Sequence, residues 1–344
     1  MTATGISFVV PVHNGERWLS GALEAILAQS DGRAVEVIAV DDGSTDGSSA
    51  ILRQFESRGA VRVLRTKGVG AAAAMNAGIR EAAHPIICLV DQDVVLKPGW
   101  LEAVLAPFED PAVGAVQGRF VVDPDAPAVA RVAAMDVEQR YAAMGAGATS
   151  HVCTGNSAYR ADALRDAGLF DESFGYGYDN DMSYRLMHAG HTLRYCPSAH
   201  SIHRWRDTLR GYLAQQYGQG YGRLDIVWKH PGWAAGDSVS PAAMMAHAPL
   251  MLMALGAAIA ALALAAAGAP WRPAAWAGGA ILAGLALERT VAGIRAAIRH
   301  RDAAGLLFPP LHLLRNAAWA LAIVIWAARR LAGLGRHPSH SMKR

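Results

Sequence analysis

The stretch Pro85-Ile-Ile-Cys-Leu-Val-Asp-Gln-Asp93 decides the architecture. Residues 86–90 are apolar without alternation, the pattern of a strand covered on both faces in the middle of a parallel sheet. Asp91 and Asp93 follow at once. Two residues apart in extended backbone, their side chains point to one side. Toward the N-terminus, Ile6-Ser-Phe-Val-Val-Pro11 reads as a first strand and Val35–Val40 as a second. Between them Glu16–Gln29 carries Leu19, Leu23, Ile26 and Leu27 at helical spacing. Strands about 30 residues apart with a helix between form a βαβ unit, so they run parallel. A helix over Ser48–Ser57, a strand over Val61–Leu64 and a helix over Ala71–Ala82 continue the alternation. The fold class is α/β, an open sheet that binds ligands beyond the carboxyl ends of its strands.

Asp41 and Asp42 leave the second strand at the same edge as Asp91 and Asp93. Either cluster alone reads as a polar turn, since Asp, Gly and Ser are turn residues. Two clusters at one edge favour a site, and paired carboxylates suit a hard divalent cation that also holds phosphate oxygens.

The chain has 344 residues and a formal net charge of +3. That charge offers no dense basic stripe, which argues against a nucleic-acid partner. Cys88, Cys153 and Cys196 lie far apart without CxxC spacing, so neither a disulfide framework nor a zinc site is expected. His151 beside Cys153 does not change this, because no second pair stands at zinc spacing. The opening segment lacks the pattern of a signal peptide.

The ordered motifs resemble inverting glycosyltransferase family two, in its membrane-anchored bacterial form. They are Val9-Val-Pro-Val-His-Asn14, Asp41-Asp-Gly-Ser-Thr-Asp46, Asp91-Gln-Asp93, Thr154-Gly-Asn-Ser-Ala-Tyr-Arg160, Leu169-Phe-Asp-Glu-Ser-Phe174 and Gly177-Tyr-Asp-Asn-Asp-Met-Ser-Tyr-Arg185. The likeness covers about residues 5–225. It implies the GT-A fold, a Rossmann-like nucleotide-binding domain, and a nucleotide-sugar donor. It also implies roles. Pro11, His13 and Glu16 line the nucleotide pocket, Asp42 meets a uracil-type base, and Lys67 precedes the helix that closes over the donor. Asp91 holds the ribose or assists the metal, and Asn156 and Asp181 contact substrate. Asp93 binds Mg²⁺ or Mn²⁺, with His203 completing the site and His200 as its competitor. The family usually writes Glu-Asp at the catalytic base, whereas this chain has Tyr178-Asp179. Asp179 keeps the base position, and its plain alternative is a helix N-cap.

The composition shifts after residue 230. The expected layout is a catalytic domain over 1–230, a linker over 231–243, a membrane region over 244–332 and a basic tail over 333–344. Pro249–Gly268 offers about 20 uncharged residues, enough to span a bilayer. With Ala274–Leu287 it reads as a hairpin over about 249–287, and Trp271 and Trp276 suit the interface. Arg289, Arg295, Arg299 and Arg301 follow the hairpin. By the positive-inside rule they place the catalytic domain on the cytoplasmic face of a multi-pass inner-membrane protein. A third apolar segment, about 306–328, holds His312, Arg315 and Asn316 and reads either as a span or as an interfacial helix. Arg210–Arg223 either borders the acceptor site or lies on the bilayer.

The expected activity is sugar transfer to a lipid-linked or membrane-proximal glycan acceptor. Two alternatives share the fold, a polyprenyl-phosphate glycosyl synthase and a catalytically silent nucleotide-sugar-binding membrane scaffold. A nucleotidyltransferase fits less well, because the Gly-rich basic loop it needs near the N-terminus is missing.

Overall fold

The computed structural model describes residues 5–29 and 32–334. Most of the expected basic tail lies outside the described residues. Two compact units emerge. The first holds the described residues up to Asp123 together with Arg140–Arg204; the second holds Pro124–Gln139 and residues 205–334. This division differs from the expected boundary at residue 230. The helix Leu209–Lys229 belongs to the second unit because it packs along the helix Phe308–Leu331. There Gly220 lets the Trp319 ring approach, and Trp319 Nε1 donates to Gln216 Oε1 at 3.2 Å.

The described strands of the first unit form one sheet. They are β1 (Ile6–Val12), β2 (Val35–Asp42), β3 (Arg62–Thr66), β4 (Ile86–Val90), β5 (Val94–Leu96), β6 (Val113–Phe120), β7 (Gly147–Thr149), β8 (Asn156–Arg160) and β9 (Thr192–His203). The order is β3-β2-β1-β4-β8-β6-β9-β5, with β7 on β9. As expected, the β3-β2-β1-β4 half is parallel. It closes around Ile6, Phe8, Val9, Val10, Ile38, Ile87 and Leu89, all fully buried. Each such side chain contributes roughly 1.5–3 kcal/mol. Helices Leu19–Leu27, Ser48–Ser57 and Ala71–Glu81 make the connections.

The other half is mixed. β8 is antiparallel to both β4 and β6, β6 runs parallel to β9, and β5 pairs antiparallel with β9. The β6–β9 register jumps from Gly118↔Cys196 to Arg119↔His200. Pro197, which has no amide to give a ladder, sits in that jump. The irregularity resets β9 so that His203 ends opposite Val94.

In the second unit, helices His247–Ala266, Arg272–His300 and Phe308–Leu331 pack on one another. Two segments, Ala242–Ala266 and Ala303–Leu331, are long and apolar enough to cross a membrane. Two expectations change here. The second limb of the hairpin does not stop at Leu287 but runs unbroken to His300, through Glu288 and Arg289. Those charges are partnered within the unit: Arg289 pairs with Glu288 and lies 3.7 Å from Asp136 Oδ1, and His247 Nε2 lies 3.5 Å from Glu288 Oε2. The third apolar segment, left open between a span and an interfacial helix, meets the length and composition of a span. Its His312, Arg315 and Asn316 turn inward, while Leu314, Leu321 and Val324 face outward. Polar inside and apolar outside is the arrangement that lipid favours.

Candidate active site

The site begins where β1 and β2 end. The chain after β1 is laced to the loop after β2. Asn14 Oδ1 accepts the Thr45 amide at 2.8 Å, Glu16 Oε2 accepts the Gly47 amide at 2.9 Å, and His13 Nδ1 lies 2.7 Å from the Asp42 carbonyl. Asp41 is turned into its own loop, where it accepts from the Ser44 amide and the Ser49 hydroxyl. Asp42 reaches the other way. Its Oδ1 accepts from Thr66 Oγ1 at 2.6 Å and the Val69 amide at 2.7 Å, and its Oδ2 from the Gly70 amide at 2.8 Å. Burial works to raise the Asp42 pKa, but these donors together hold it below the ordinary value. Asp42 therefore ties β2 to the loop carrying Lys67, which is exposed. Pro11, half-buried, continues β1 opposite Val40.

Gln92 joins this edge to the next. Its Oε1 accepts the His13 amide at 2.9 Å and its Nε2 donates to the His13 carbonyl at 3.0 Å. The middle residue of Asp91-Gln-Asp93 thus clamps the tail of β1, a role the sequence reading missed.

Asp91, Asp93 and His203 come together, each offering one ligand atom within 4.8 Å of the others. The antiparallel β5–β9 pair does this across 110 residues of chain: His203 stands opposite Val94, and its Nε2 lies 3.4 Å from Asp93 Oδ1. The Phe120 ring meets the imidazole edge-on at 5.6 Å. His200, the competitor, is exposed and three residues away along β9, so it falls on the opposite face. Two carboxylates and one imidazole suit a hard divalent cation, Mg²⁺ or Mn²⁺, that retains coordination positions for phosphate oxygens. The cradle is also shaped for Asp91. A Cβ at residue 155 would sit 2.5 Å from Asp91 Oδ2, so any other residue there would have to displace the carboxylate.

The helix Tyr178–His188 supplies the third group of residues. Gly177 caps it at φ 87°, a left-handed conformation that glycine adopts without strain. Asp179 is in the first turn, its Oδ1 accepting the Asn180 amide at 2.9 Å and its side chain 19% exposed. Burial pushes the Cys153 thiol up, and the charges of Asp179, Asp91 and Asp93 all add to the rise. Tyr178, standing where the family writes Glu, occupies the same ground. Burial raises its phenol well above the ordinary value, and Asp91 and Asp179 add to this.

Two expected substrate contacts are engaged inside the protein. Asp181 is fully buried, and its Oδ2 accepts from Arg185 Nε at 2.8 Å. Arg185 also donates to the carbonyls of Ala167 and Leu169. Asn156 is fully buried too. Its Oδ1 accepts from Trp100 Nε1 at 2.6 Å and its carbonyl from Gln117 Nε2 at 3.1 Å.

The sequence model of Glycosyl transferase family 2 matches residues 7–168. Pre-mycofactocin glycosyltransferase of Mycobacterium tuberculosis (strain ATCC 25618 / H37Rv) is 33% identical over 262 residues, which cover 73% of this chain and 53% of that protein. Hyaluronan synthase of Pasteurella multocida is 28% identical over 223 residues, 54% of this chain and 23% of that protein. The chain thus spans about half the length of the first of these relatives and less of the second. The solved structure of mannosyltransferase PcManGT from Pyrobaculum calidifontis, in complex with GDP-Man and Mn²⁺, superposes with a TM-score of 0.59 at 20% identity. The match covers 95% of this chain and 86% of that one, a likeness of fold. Residues 7–168 form a glycosyl transferase family 2 domain.

Proposed function

We propose that this chain transfers a sugar, with inversion, from a nucleoside-diphosphate donor to a lipid-linked or membrane-proximal acceptor. The observation that carries this reading is the meeting of Asp91, Asp93 and His203 at the strand ends.

The edge around Pro11, His13, Glu16, Asp42 and Lys67 would seat the nucleotide. The interlaced loops give it a fixed shape, so little ordering remains to be done on binding. Asp91, Asp93 and His203 would hold Mg²⁺ or Mn²⁺, which when bound supplies Lewis-acid stabilisation for the charge gathering on the leaving diphosphate. PcManGT was solved with GDP-Man and Mn²⁺, which supports a donor of this class. Asp179 takes the proton of the acceptor hydroxyl. The acceptor oxygen forms its bond to the anomeric carbon on the face opposite the departing phosphate oxygen, which leaves with the bonding electron pair. General-base help of this kind contributes about 10²–10⁴-fold.

The second unit supports a membrane location for the acceptor. Its two long apolar segments and its inward-facing polar residues fit a bilayer. Arg295, Arg299 and Arg301 favour a cytoplasmic position for the catalytic domain, where nucleotide sugars are made.

The test is to incubate membranes containing the chain with labelled GDP-mannose, UDP-glucose and UDP-N-acetylglucosamine. Label should enter lipid-extractable or membrane-bound product from one donor, and Asp93→Ala should abolish it. Label entering only soluble product would refute the membrane acceptor.

A further inference from the structure

The loop 149–154 carries His151 toward Asp179, and it is held at several points. Thr149 Oγ1 donates to the His151 carbonyl at 3.1 Å, and the same hydroxyl accepts the His151 amide at 3.2 Å. The Val152 amide donates to Ser183 Oγ at 3.0 Å, and Ser183 Oγ donates onward to the Asp179 carbonyl at 2.8 Å. Ser183 therefore fastens this loop to the turn of helix that presents Asp179. On the far side the Cys153 amide donates to Gln117 Oε1 at 2.5 Å. Such support fixes the direction of the side chain between the two clamps.

That side chain joins a row. His151 Nε2 lies 3.4 Å from Asp179 Oδ2, and its Nδ1 lies 3.4 Å from the Tyr141 hydroxyl. The imidazole is 12% exposed. A phenol is the natural donor to a ring nitrogen, so Tyr141 favours an acceptor lone pair at Nδ1. The proton of the neutral ring then sits on Nε2, aimed at the carboxylate. Catalytic hydrogen bonds are often this long without substrate and tighten only in its complex.

We infer that His151 is a positioning residue for Asp179. It donates from Nε2 to one carboxylate oxygen and so directs the carboxylate at the acceptor hydroxyl, while Tyr141 sets its tautomer. The inference rests on the reading of Asp179 as the base. The Asn180 amide holds Oδ1 and His151 Nε2 stands 3.4 Å from Oδ2, so a bond from the ring would fix the second oxygen, and each oxygen keeps a lone pair for the incoming proton. No covalent step passes through the imidazole.

The test measures transfer of label from GDP-mannose or UDP-glucose, whichever is used, to lipid extract by the full chain in membranes. His151→Phe should lower kcat by about 10–100-fold and leave the donor KM within about twofold, because a misdirected base weakens the transition state and not donor binding. His151→Gln, which keeps an amide donor near the Nε2 position, should recover most of the rate. Tyr141→Phe should cost less than His151→Phe. In the Asp179→Asn background, His151→Phe should cost nothing further. A wild-type kcat in His151→Phe, or a His151→Gln as slow as His151→Phe at an unchanged melting temperature, would overturn the inference. Full activity in Asp179→Asn would instead remove the base reading beneath it. Nitrogen-15 NMR of labelled histidine gives a readout that needs no turnover: the neutral ring should carry its proton on Nε2, and a proton on Nδ1 would overturn the inference even if a variant fails to fold.

Discussion

Asp179 and Asp181 stand two residues apart in one helical turn and have opposite surroundings. Asp181 is fully buried against Arg185, whereas Asp179 stays partly exposed beside His151. Along a helix, two residues turn a side chain by about 200°. One acid therefore faces the core and the other the cleft, although the sequence writes them alike.

This separation predicts opposite phenotypes. Asp181→Ala leaves Arg185 without its buried partner and should destabilise the fold by about 3 kcal/mol, read as a lower unfolding midpoint. Asp179→Ala should leave the midpoint nearly unchanged and reduce kcat by about 10²–10⁴-fold. A pair of variants with equal midpoints and equal rates would contradict the assignment.

Asp42 makes a prediction about pH. Its carboxylate, 4% exposed, accepts from Thr66, Val69 and Gly70 and has a pKa below the ordinary 3.8. The lowered value means that the stabilisation is fully present above pH 3.8 and fades as pH falls through the folded-state pKa. Asp42→Asn should cost about 2 kcal/mol at pH 7, and the gap to the wild type should close in acid. Denaturant melts at pH 7 and below pH 3 would measure both ends.

Gly155 predicts that a single methyl group disturbs the metal site. With a Cβ 2.5 Å from Asp91 Oδ2, Gly155→Ala should push the carboxylate aside. Groups that support a ligand typically change metal affinity by about 10–100-fold when altered. Mn²⁺ titration of the variant should show a weakening in that range, with circular dichroism unchanged.

The parallel half of the sheet was legible because its signals are local. β1, β2 and β4 are short apolar runs; β2 ends in Asp41-Asp42, and β4 runs straight into Asp91. The antiparallel half was not. β6 mixes Gly114, Gln117 and Arg119 with its apolar residues, and β9 is interrupted by Pro197, so neither shows a clean period. The pairing of Asp93 with His203 is set by the register of those two interrupted strands, and only the family resemblance pointed to it. Asn156 shows the opposite limit. Its motif is visible in the sequence, but its burial against Trp100 depends on a helix 56 residues away in the chain. Tyr141 and His151, ten residues apart, left no motif at all.

The second unit predicts tight membrane association. Ile259, Leu262, Trp276 and Leu287 are each more than half exposed, and lipid would cover them. The full chain should stay in the membrane pellet through high-salt and alkaline washes. Replacing Ile259 and Leu262 together by Glu should release part of it or block insertion, as judged by fractionation.

The most direct test of the central claim is the melting temperature of the full chain with a panel of nucleotide sugars, with and without Mn²⁺. At least one donor should raise the melting temperature by several degrees only when Mn²⁺ is present, and Asp93→Ala should erase that rise while melting normally by itself. Equal stabilisation without the metal, or its survival in Asp93→Ala, would contradict a cation at Asp91, Asp93 and His203 that holds the donor's diphosphate.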